Sequence, residues 1–437
     1  MNRIHRKLYP LASIAAGVCV LSAAMPAAAV DLKTADGSWT FSIDGNVNVD
    51  YIYSNCESAT SAHSITDVGG SCVGTAGSNS TSSVANGLLP AAFTFGVATT
   101  QDGIDMSAHL GLYPGVVAND GGSPNIQATG PNNVALGTTG LDVRQVYMTF
   151  GNKDMGTFTL GRQIGLFEAD IILNDMTLLG VGGPGAAATP NPANTTLGGI
   201  GFGYIYTDWL SQIDYTTPDF SGANVTIGIF DPLASLTGPG SGATAAPKPA
   251  PGFHGKVVWK TTFDDVKVYL SASGLEQQQK YLPTPTTSGS WQGAGGDVFG
   301  KIDIQGFEAV AGGYYAKGLG TTGIFILGSD ANGNARNSYG YLVQATYKVG
   351  PTKFGINYGV SRLAFANEAD RLADPFLVAA NEKVTGGVYY DLTKNLMLLG
   401  EVSWVQDLAH ANSVSADGSV GNTNTGVTGN VGVFLAF

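Results

Sequence analysis

The chain has 437 residues and a formal net charge of −12, and only 12% of its residues are charged, about half of the ~25% that is usual in a soluble domain. Glycine is abundant, with 62 residues, but it lacks the every-third spacing of collagen. This composition excludes a disordered chain and argues against the surface of an ordinary cytosolic domain.

The N-terminal segment has the three parts of an export signal. Basic residues up to Lys7 precede an apolar run over residues 11–24, and residues 27–29 are alanines that offer an A-x-A cleavage site. The run is shorter than the ~20 residues of a spanning helix, so we expect residues 1–29 to be a cleaved signal peptide. Removing three of the 21 basic residues leaves 18 against 33 acidic ones, a charge of −15, so nucleic acid is not an expected partner.

The cysteines indicate an oxidising compartment rather than a metal site. Cys19 falls within the expected signal peptide, which leaves Cys56 and Cys72 in a Ser/Thr/Gly-rich segment. An exported chain can oxidise such a pair, so we expect a disulfide between them; two inert loop cysteines are the alternative. No C-x-x-C motif, metal-ligand histidine spacing or G-x-S-x-G motif is present, and we therefore expect no metal, no cofactor and no enzymatic activity.

The next feature is an alternation of apolar and polar residues. From Phe41 to Tyr53 one face is apolar, as at Val47 and Val49, and the other carries polar side chains such as Asp44 and Asp50. A period of two indicates a β-strand. The pattern recurs in about sixteen segments of the ~9 to 11 residues that a tilted membrane strand requires. No apolar stretch of 18 residues follows residue 30, so helical membrane spans are not expected.

The connections between these segments alternate between tight and long. Long ones are rich in Gly, Ser, Asn and Pro, and the tight ones are residues 101–103, 152–155, 264–265, 305–306, 349–351 and 392–394. Alternating lengths predict an up-and-down antiparallel barrel with short turns at one end and long loops at the other, because closure leaves no sheet edge in the bilayer. A soluble β-sandwich is the alternative that fits the same alternation.

Four stretches resemble the general porin family of bacterial outer membranes. They are residues 143–150, residues 156–163, residues 212–222 and the alternating last strand that ends at Phe437. The resemblance implies that residues 30–437 form one sixteen-stranded transmembrane β-barrel whose third external loop folds into the lumen. It implies that three such chains assemble into a homotrimer. It also implies that the barrel assembly machinery reads Phe437, and that the barrel lies in the outer membrane of a Gram-negative bacterium, surrounded by lipid.

The resemblance also implies a charged pore constriction. The third external loop would run from Ile164 to about Gly199, and its carboxylates would face two arginines across the pore, while Asp214 stands where the family commonly has a base. The residues expected there are Arg144, Arg162, Glu168, Asp170, Asp175 and Asp214. Strict alternation places Arg144 on the apolar face of its strand, but the resemblance turns it inward. The alternative is that these are solvated loop carboxylates and arginines that fix strand register.

Together these features predict a porin, a water-filled channel through which small hydrophilic solutes and ions diffuse. The acidic charge and the carboxylates on polar strand faces predict that it prefers cations. A structural or adhesive outer-membrane barrel without significant transport is the alternative. An outer-membrane hydrolase is disfavoured, because the sequence shows no nucleophile paired with a base.

Overall fold

The computed structural model describes residues 30–56, 65–68, 79–119, 138–183, 195–235, 237–239, 248–284, 287–414 and 420–437. The expected signal peptide and Cys72 lie outside these ranges. The described residues form eighteen β-strands: β1 Val30–Lys33, β2 Trp39–Cys56, β3 Ser80–Ala85, β4 Ala92–Gln101, β5 Ile104–Asn119, β6 Thr138–Asn152, β7 Gly156–Ile164, β8 Trp209–Thr216, β9 Ala223–Phe230, β10 Gly252–Phe263, β11 Val266–Thr284, β12 Thr287–Ile304, β13 Phe307–Lys317, β14 Asn337–Val349, β15 Thr352–Leu363, β16 Val378–Asp391, β17 Leu396–Val414 and β18 Val420–Ala436. Two short helices, α1 (Ala169–Asn174) and α2 (Glu368–Ala373), lie in connections. No helix among the described residues is long and apolar enough to cross a membrane.

The strands close into a barrel. Each strand from β4 to β18 pairs antiparallel with its neighbours in the chain, and β18 pairs with β2, from Gly426 opposite Cys56 to Ala436 opposite Asn46. β3 and β4 count as one strand of the barrel, because they pair with successive parts of the same edge of β2. β1 pairs with residues 40–43 of the other edge, which β18 occupies farther along β2, and so adds no strand to the barrel. The result is the predicted sixteen-stranded antiparallel barrel.

Alternation decides which side chains face outward. On β2 Phe41, Val49 and Tyr51 are exposed, whereas Asn48 and Asp50 are buried inside the barrel. Large exposed apolar side chains recur at every second position of the other strands. The apolar face is therefore the outer surface, as the lipid-facing surface of a membrane barrel must be.

The six connections that the sequence predicts to be tight all lie at one end of the barrel. The six tight connections of the sequence join β4–β5, β6–β7, β10–β11, β12–β13, β14–β15 and β16–β17. Two of them, Asp102-Gly103 and Gln305-Gly306, have positive φ at both central residues, the geometry of a two-residue hairpin turn. The six tight connections are therefore confirmed. The prediction that every intervening connection is long is wrong at β11–β12, where only residues 285–286 separate the two strands.

Candidate functional site: the barrel lumen

The described parts of the connection between β7 and β8, residues 165–183 and 195–208, contact inward side chains of the barrel wall, and we call them the inner loop. It contains α1 and a 3₁₀ turn at Met176–Leu179. Apolar residues of the loop, such as Ile171 and Leu178, pack with inward residues of the wall, such as Phe299 and Leu342. Polar side chains on strands between β10 and β17 bond to the loop: Lys256, Ser271, Asp297, Lys301, Gln344, Asn357, Lys383 and Glu401.

Glu401 on β17 holds the far end of the inner loop. Its carboxylate accepts hydrogen bonds from the backbone N–H groups of Val181 and Gly182, at 2.9 and 3.0 Å, and from the Tyr389 hydroxyl at 2.6 Å. All of these groups are buried from water, so each unpaired donor would cost free energy. The carboxylate therefore fixes the position of the loop backbone.

The segment between β3 and β4 holds the same part of the loop from the other side. It leaves the wall after β3, and the backbone N–H groups of Leu88 and Leu89 donate to Gly180 and Leu178 at 2.7 and 3.0 Å. Asn48 of β2 fixes this detour, because its amide donates to the Leu89 carbonyl at 2.8 Å. The inner loop is therefore clamped between β17 and the detour.

Asp170 of α1 is bound to the wall rather than free in the lumen. It forms an ion pair with Lys256 of β10 and accepts hydrogen bonds from the hydroxyls of Tyr269 and Ser271 on β11. The expected partners, Arg144 and Arg162, make no hydrogen bond or ion pair with it in the described part of the chain. The loop carboxylate therefore anchors α1 to the wall.

Glu168 is buried at the start of α1, with 1% of its surface exposed. One carboxyl oxygen accepts the Ile205 N–H at 2.8 Å, and its own N–H donates to Asp297 at 3.1 Å. Burial raises the pKa of Glu168 well above its usual value, and the Asp297 carboxyl adds to the increase. The expectation that Glu168 belongs to an exposed acidic rim is therefore wrong, because its buried side chain joins the start of the loop to Ile205 near the loop's end.

Asp175 is also buried, with 3% exposed. It caps the 3₁₀ turn by accepting the Thr177 N–H at 2.9 Å, and it accepts hydrogen bonds from the Tyr204 hydroxyl at 2.8 Å and the Asn357 amide at 3.1 Å. These donors occupy both of its oxygens. The expected acidic rim loses this member too, because the carboxylate serves the folding of the loop.

Arg144 lies at a β-bulge, which resolves its conflict with alternation. Gly111 of β5 pairs with Gln145 and Leu112 pairs with Val143, so Arg144 is an extra residue between them. Its guanidinium lies 5.3 Å from the ring centroid of buried Tyr113. A bulge re-aims a side chain, and here it lets Arg144 leave the apolar outer face that strict alternation would give it.

Arg162 lies on the outer face. It pairs directly with Val146 of β6 and Ser211 of β8, and Val146 is 50% exposed on the apolar outer surface. Phe158 and Leu160 share this face of β7, so the alternation of the strand itself carries Arg162 outward. The expectation that Arg162 faces the pore is therefore wrong, because the strand pairing places its side chain on the outer face.

A carboxylate missed by the sequence reasoning lies near both arginines. Asp208 ends the inner loop with a positive φ of 61°. Burial raises its pKa, while the N–H of Trp209 and the charges of Arg162 and Arg144 oppose the increase. Nothing in the sequence pattern singled out Asp208, since it lies just before β8 and beyond the segment expected to narrow the pore.

Asp214 faces inward on β8, as the resemblance implied, but it is not free. Its carboxylate lies 2.8 Å from Nε2 of His254 on β10, and both side chains are buried. The two residues reach each other across Gly228 of β9, which pairs directly with both. A Cβ at position 228 would collide with the Asp214 carboxylate, so only glycine leaves room for this pair.

The inner face of β4 to β7, and of β2 around Asp44, is polar, whereas Leu210 of β8 and Phe230 of β9 pack against apolar residues of the inner loop. Asp44 of β2 and His109 of β5 point inward there and are partly exposed, and Thr149 of β6 lies on the same face. Asp44 accepts a hydrogen bond from the Thr94 hydroxyl. Among the described residues no group of three or more His, Cys, Asp or Glu side chains could hold a metal ion.

The sequence profile described as Gram-negative porin matches residues 12–410. The chain belongs to the Gram-negative porin family. It is therefore an outer-membrane channel protein of Gram-negative bacteria. No curated protein sequence matches the chain.

Solved porin structures share the fold. The outer membrane channel DcaP of Acinetobacter baumannii is 13% identical, with a TM-score of 0.61 over 93% of this chain and 99% of that one. Salmonella typhi OmpF is 13% identical, with a TM-score of 0.53 over 93% and 100%. Pseudomonas putida OprB is 11% identical, with a TM-score of 0.53 over 91% and 94%. At identities of 11 to 13% this similarity establishes the barrel fold alone. The solutes that pass and the ion selectivity depend on this porin's own residues.

Proposed function

We propose that this porin is a water-filled channel through which small hydrophilic solutes and ions diffuse passively, and that the inner loop narrows its lumen. The observation that carries the proposal is the division of the inner face. Strands β10 to β17 bind the loop through polar side chains, whereas β4 to β7, and β2 around Asp44, present partly exposed polar side chains opposite it. A solute crossing the barrel would pass between the loop and this second wall.

The channel prefers cations, because the carboxylates are least neutralised on the second wall. Asp44 is partly exposed there. On the wall that binds the loop, formed by β10 to β17, Lys256 and Lys301 form ion pairs with Asp170 and Glu308. These pairs compensate part of the positive charge of that wall. Fixed carboxylates in a confined aqueous lumen attract cations and repel anions.

The porin forms a homotrimer in which the wall around β7 faces a neighbouring copy. An arginine exposed to lipid near the midplane of a barrel costs about 2 to 4 kcal/mol. Arg162 faces outward between Val146 and Ser211, two residues before β7 ends at Ile164, so its cost in lipid is at most this large and falls toward the interface. Protein contact on this wall would remove that cost, and lipid would surround the rest of the barrel. Crosslinking in native membranes that gives only monomers would contradict this assembly.

The C-terminal residue is the signal that the barrel assembly machinery reads. Phe437 exchanges two backbone hydrogen bonds with Gly45, at 2.9 and 3.0 Å, and its ring lies 5.4 Å from Phe93. It therefore completes the closing pair of strands, and its deletion should reduce insertion into the outer membrane while leaving export intact.

Conductance in planar bilayers tests the transport function. The purified porin should give steps of constant size whose reversal potential in a KCl gradient indicates cation preference, and it should have no hydrolytic activity. A structural or adhesive barrel would give no steps, and a hydrolase would cleave a substrate without conducting. Heat-treated, unfolded protein in the same detergent is the control for membrane leakage.

A further inference from the structure

His109 is the partly exposed histidine of the second wall. It faces inward on β5, and its ring stacks on Tyr147 of β6 with centroids 4.6 Å apart and planes 18° apart. Its Nε2 lies 3.2 Å from the Ser107 hydroxyl, which bonds to Thr149 at 2.6 Å. The stack and the hydroxyl fix the ring against the wall, and no carboxylate is hydrogen-bonded to it among the described residues.

A glycine opens the space between His109 and β2. Gly96 of β4 pairs directly with His109 on one side and with Ser42 on the other. A Cβ at this position would collide with the Ser42 hydroxyl and lie 3.7 Å from Nδ1 of His109. Because Gly96 has no side chain, nothing on β4 stands between the His109 ring and Ser42 on the inner face of β2.

The titratable groups that face the ring from the neighbouring strands are few. Tyr147 lies on β6, Asp44 lies on β2 one inward position beyond Ser42, and Asp105 lies on β5 toward the short turns. Arg144 lies farther along β6, over the Tyr113 ring, and its guanidinium is paired with the Asp142 carboxylate at 3.0 Å. Two strand spacings separate β5 from β2, so His109 and Asp44 are on the order of 10 Å apart. That distance is close to the ~8 Å over which charge is screened at physiological ionic strength, and each group therefore acts on an ion near the other.

We propose that His109 sets the ion selectivity of the channel as a function of pH. The inference rests on the proposed cation-preferring channel. Imidazole is the side chain whose charge ordinarily changes between pH 5 and 8. With a neutral ring, Asp44 dominates the field on this wall and cations are favoured. Protonation places a positive charge on the same wall, opposes Asp44 and reduces the preference for cations.

Reversal potentials in a KCl gradient, measured at pH 7.5 and 5.5, test the proposal. The wild-type potential should shift toward the anion side at pH 5.5. His109→Gln should keep at pH 5.5 most of the selectivity that the wild type has at pH 7.5, and His109→Lys should give at pH 7.5 the selectivity that the wild type has at pH 5.5. His410→Gln is the matched control, because His410 bonds to the Leu363 carbonyl at the long-loop end, and it should shift as the wild type does.

The outcomes separate this inference from the function on which it rests. A conducting channel whose selectivity does not change between the two pH values would overturn the inference alone. So would a His109→Gln channel that keeps the full wild-type shift, since Asp44 or another carboxylate would then carry the response. A wild-type protein that forms no channel would overturn both proposals.

Discussion

Removal of the Glu401 carboxylate should release the inner loop. Glu401→Ala deletes the acceptor of three hydrogen bonds of 2.6 to 3.0 Å, two of them from the loop backbone at Val181 and Gly182. At about 1 kcal/mol for each of the two bonds to the loop, the docked loop loses ~2 kcal/mol. Because 1.4 kcal/mol is tenfold in an equilibrium constant, the ratio of docked to undocked loop should fall on the order of 30-fold.

Single-channel recording measures this change. Glu401→Ala should show open-channel noise and extra conductance levels that the wild type lacks, because the freed loop moves within the lumen. Glu382→Ala is the matched control: it also removes a glutamate, but Glu382 is on the outer face of β16, 3.5 Å from Arg362, and it should leave the recordings unchanged. A folded Glu401→Ala barrel with wild-type conductance and wild-type noise would refute the anchoring role.

Three further outcomes follow from other contacts. Asp370→Ala leaves the buried Arg336 guanidinium without its bidentate partner at 2.6 and 2.8 Å. We expect a loss of about 3 to 5 kcal/mol, measured as earlier loss of hydrogen-exchange protection in the β13–β14 and β15–β16 connections that this pair joins. Gly228→Ala should lower the temperature at which the barrel unfolds in a gel-shift assay, whereas Gly386→Ala, which meets no atom within 4 Å, should not. Cys56 is disulfide-bonded, and thiol titration of the oxidised, unfolded protein should find no free thiol if Cys72 is its partner, as predicted.

The sequence predicted the barrel because the physics of its wall is local. A strand between lipid and a polar interior must alternate, and short turns must join neighbours at one end, so both features can be read from a single segment. β2 shows this directly, since Val49 is exposed and Asp50 is buried as the alternation predicted. The interruption between β3 and β4 was not predicted, because it depends on contacts with a loop about ninety residues later in the chain.

The charged site was harder to predict, because a side chain's role depends on what the folded loop meets. A bulge that no local signal marks determines the position of Arg144. For Arg162, the alternation with Phe158 and Leu160 along the strand indicates the outward face, a signal that the sequence analysis did not use, and the family resemblance gave the inward one. Glu168 and Asp175 lie close together in the sequence, but their hydrogen-bond partners are distant in the chain. Ile205 lies near the end of the loop, and Asn357 lies on β15.

The anchoring of the loop changes where selectivity must arise. A carboxylate that is buried and hydrogen-bonded contributes little field to a passing ion, because its charge is already compensated by nearby donors. Asp175 is in this position, and so is Asp214 beside His254, while the partly exposed Asp170 is compensated by its ion pair with Lys256. Neutralising Asp214 should therefore alter the stability of the wall more than the reversal potential. Asp44→Asn, on the partly exposed face, should shift the potential toward anions, and the difference between these two variants locates the field that ions experience.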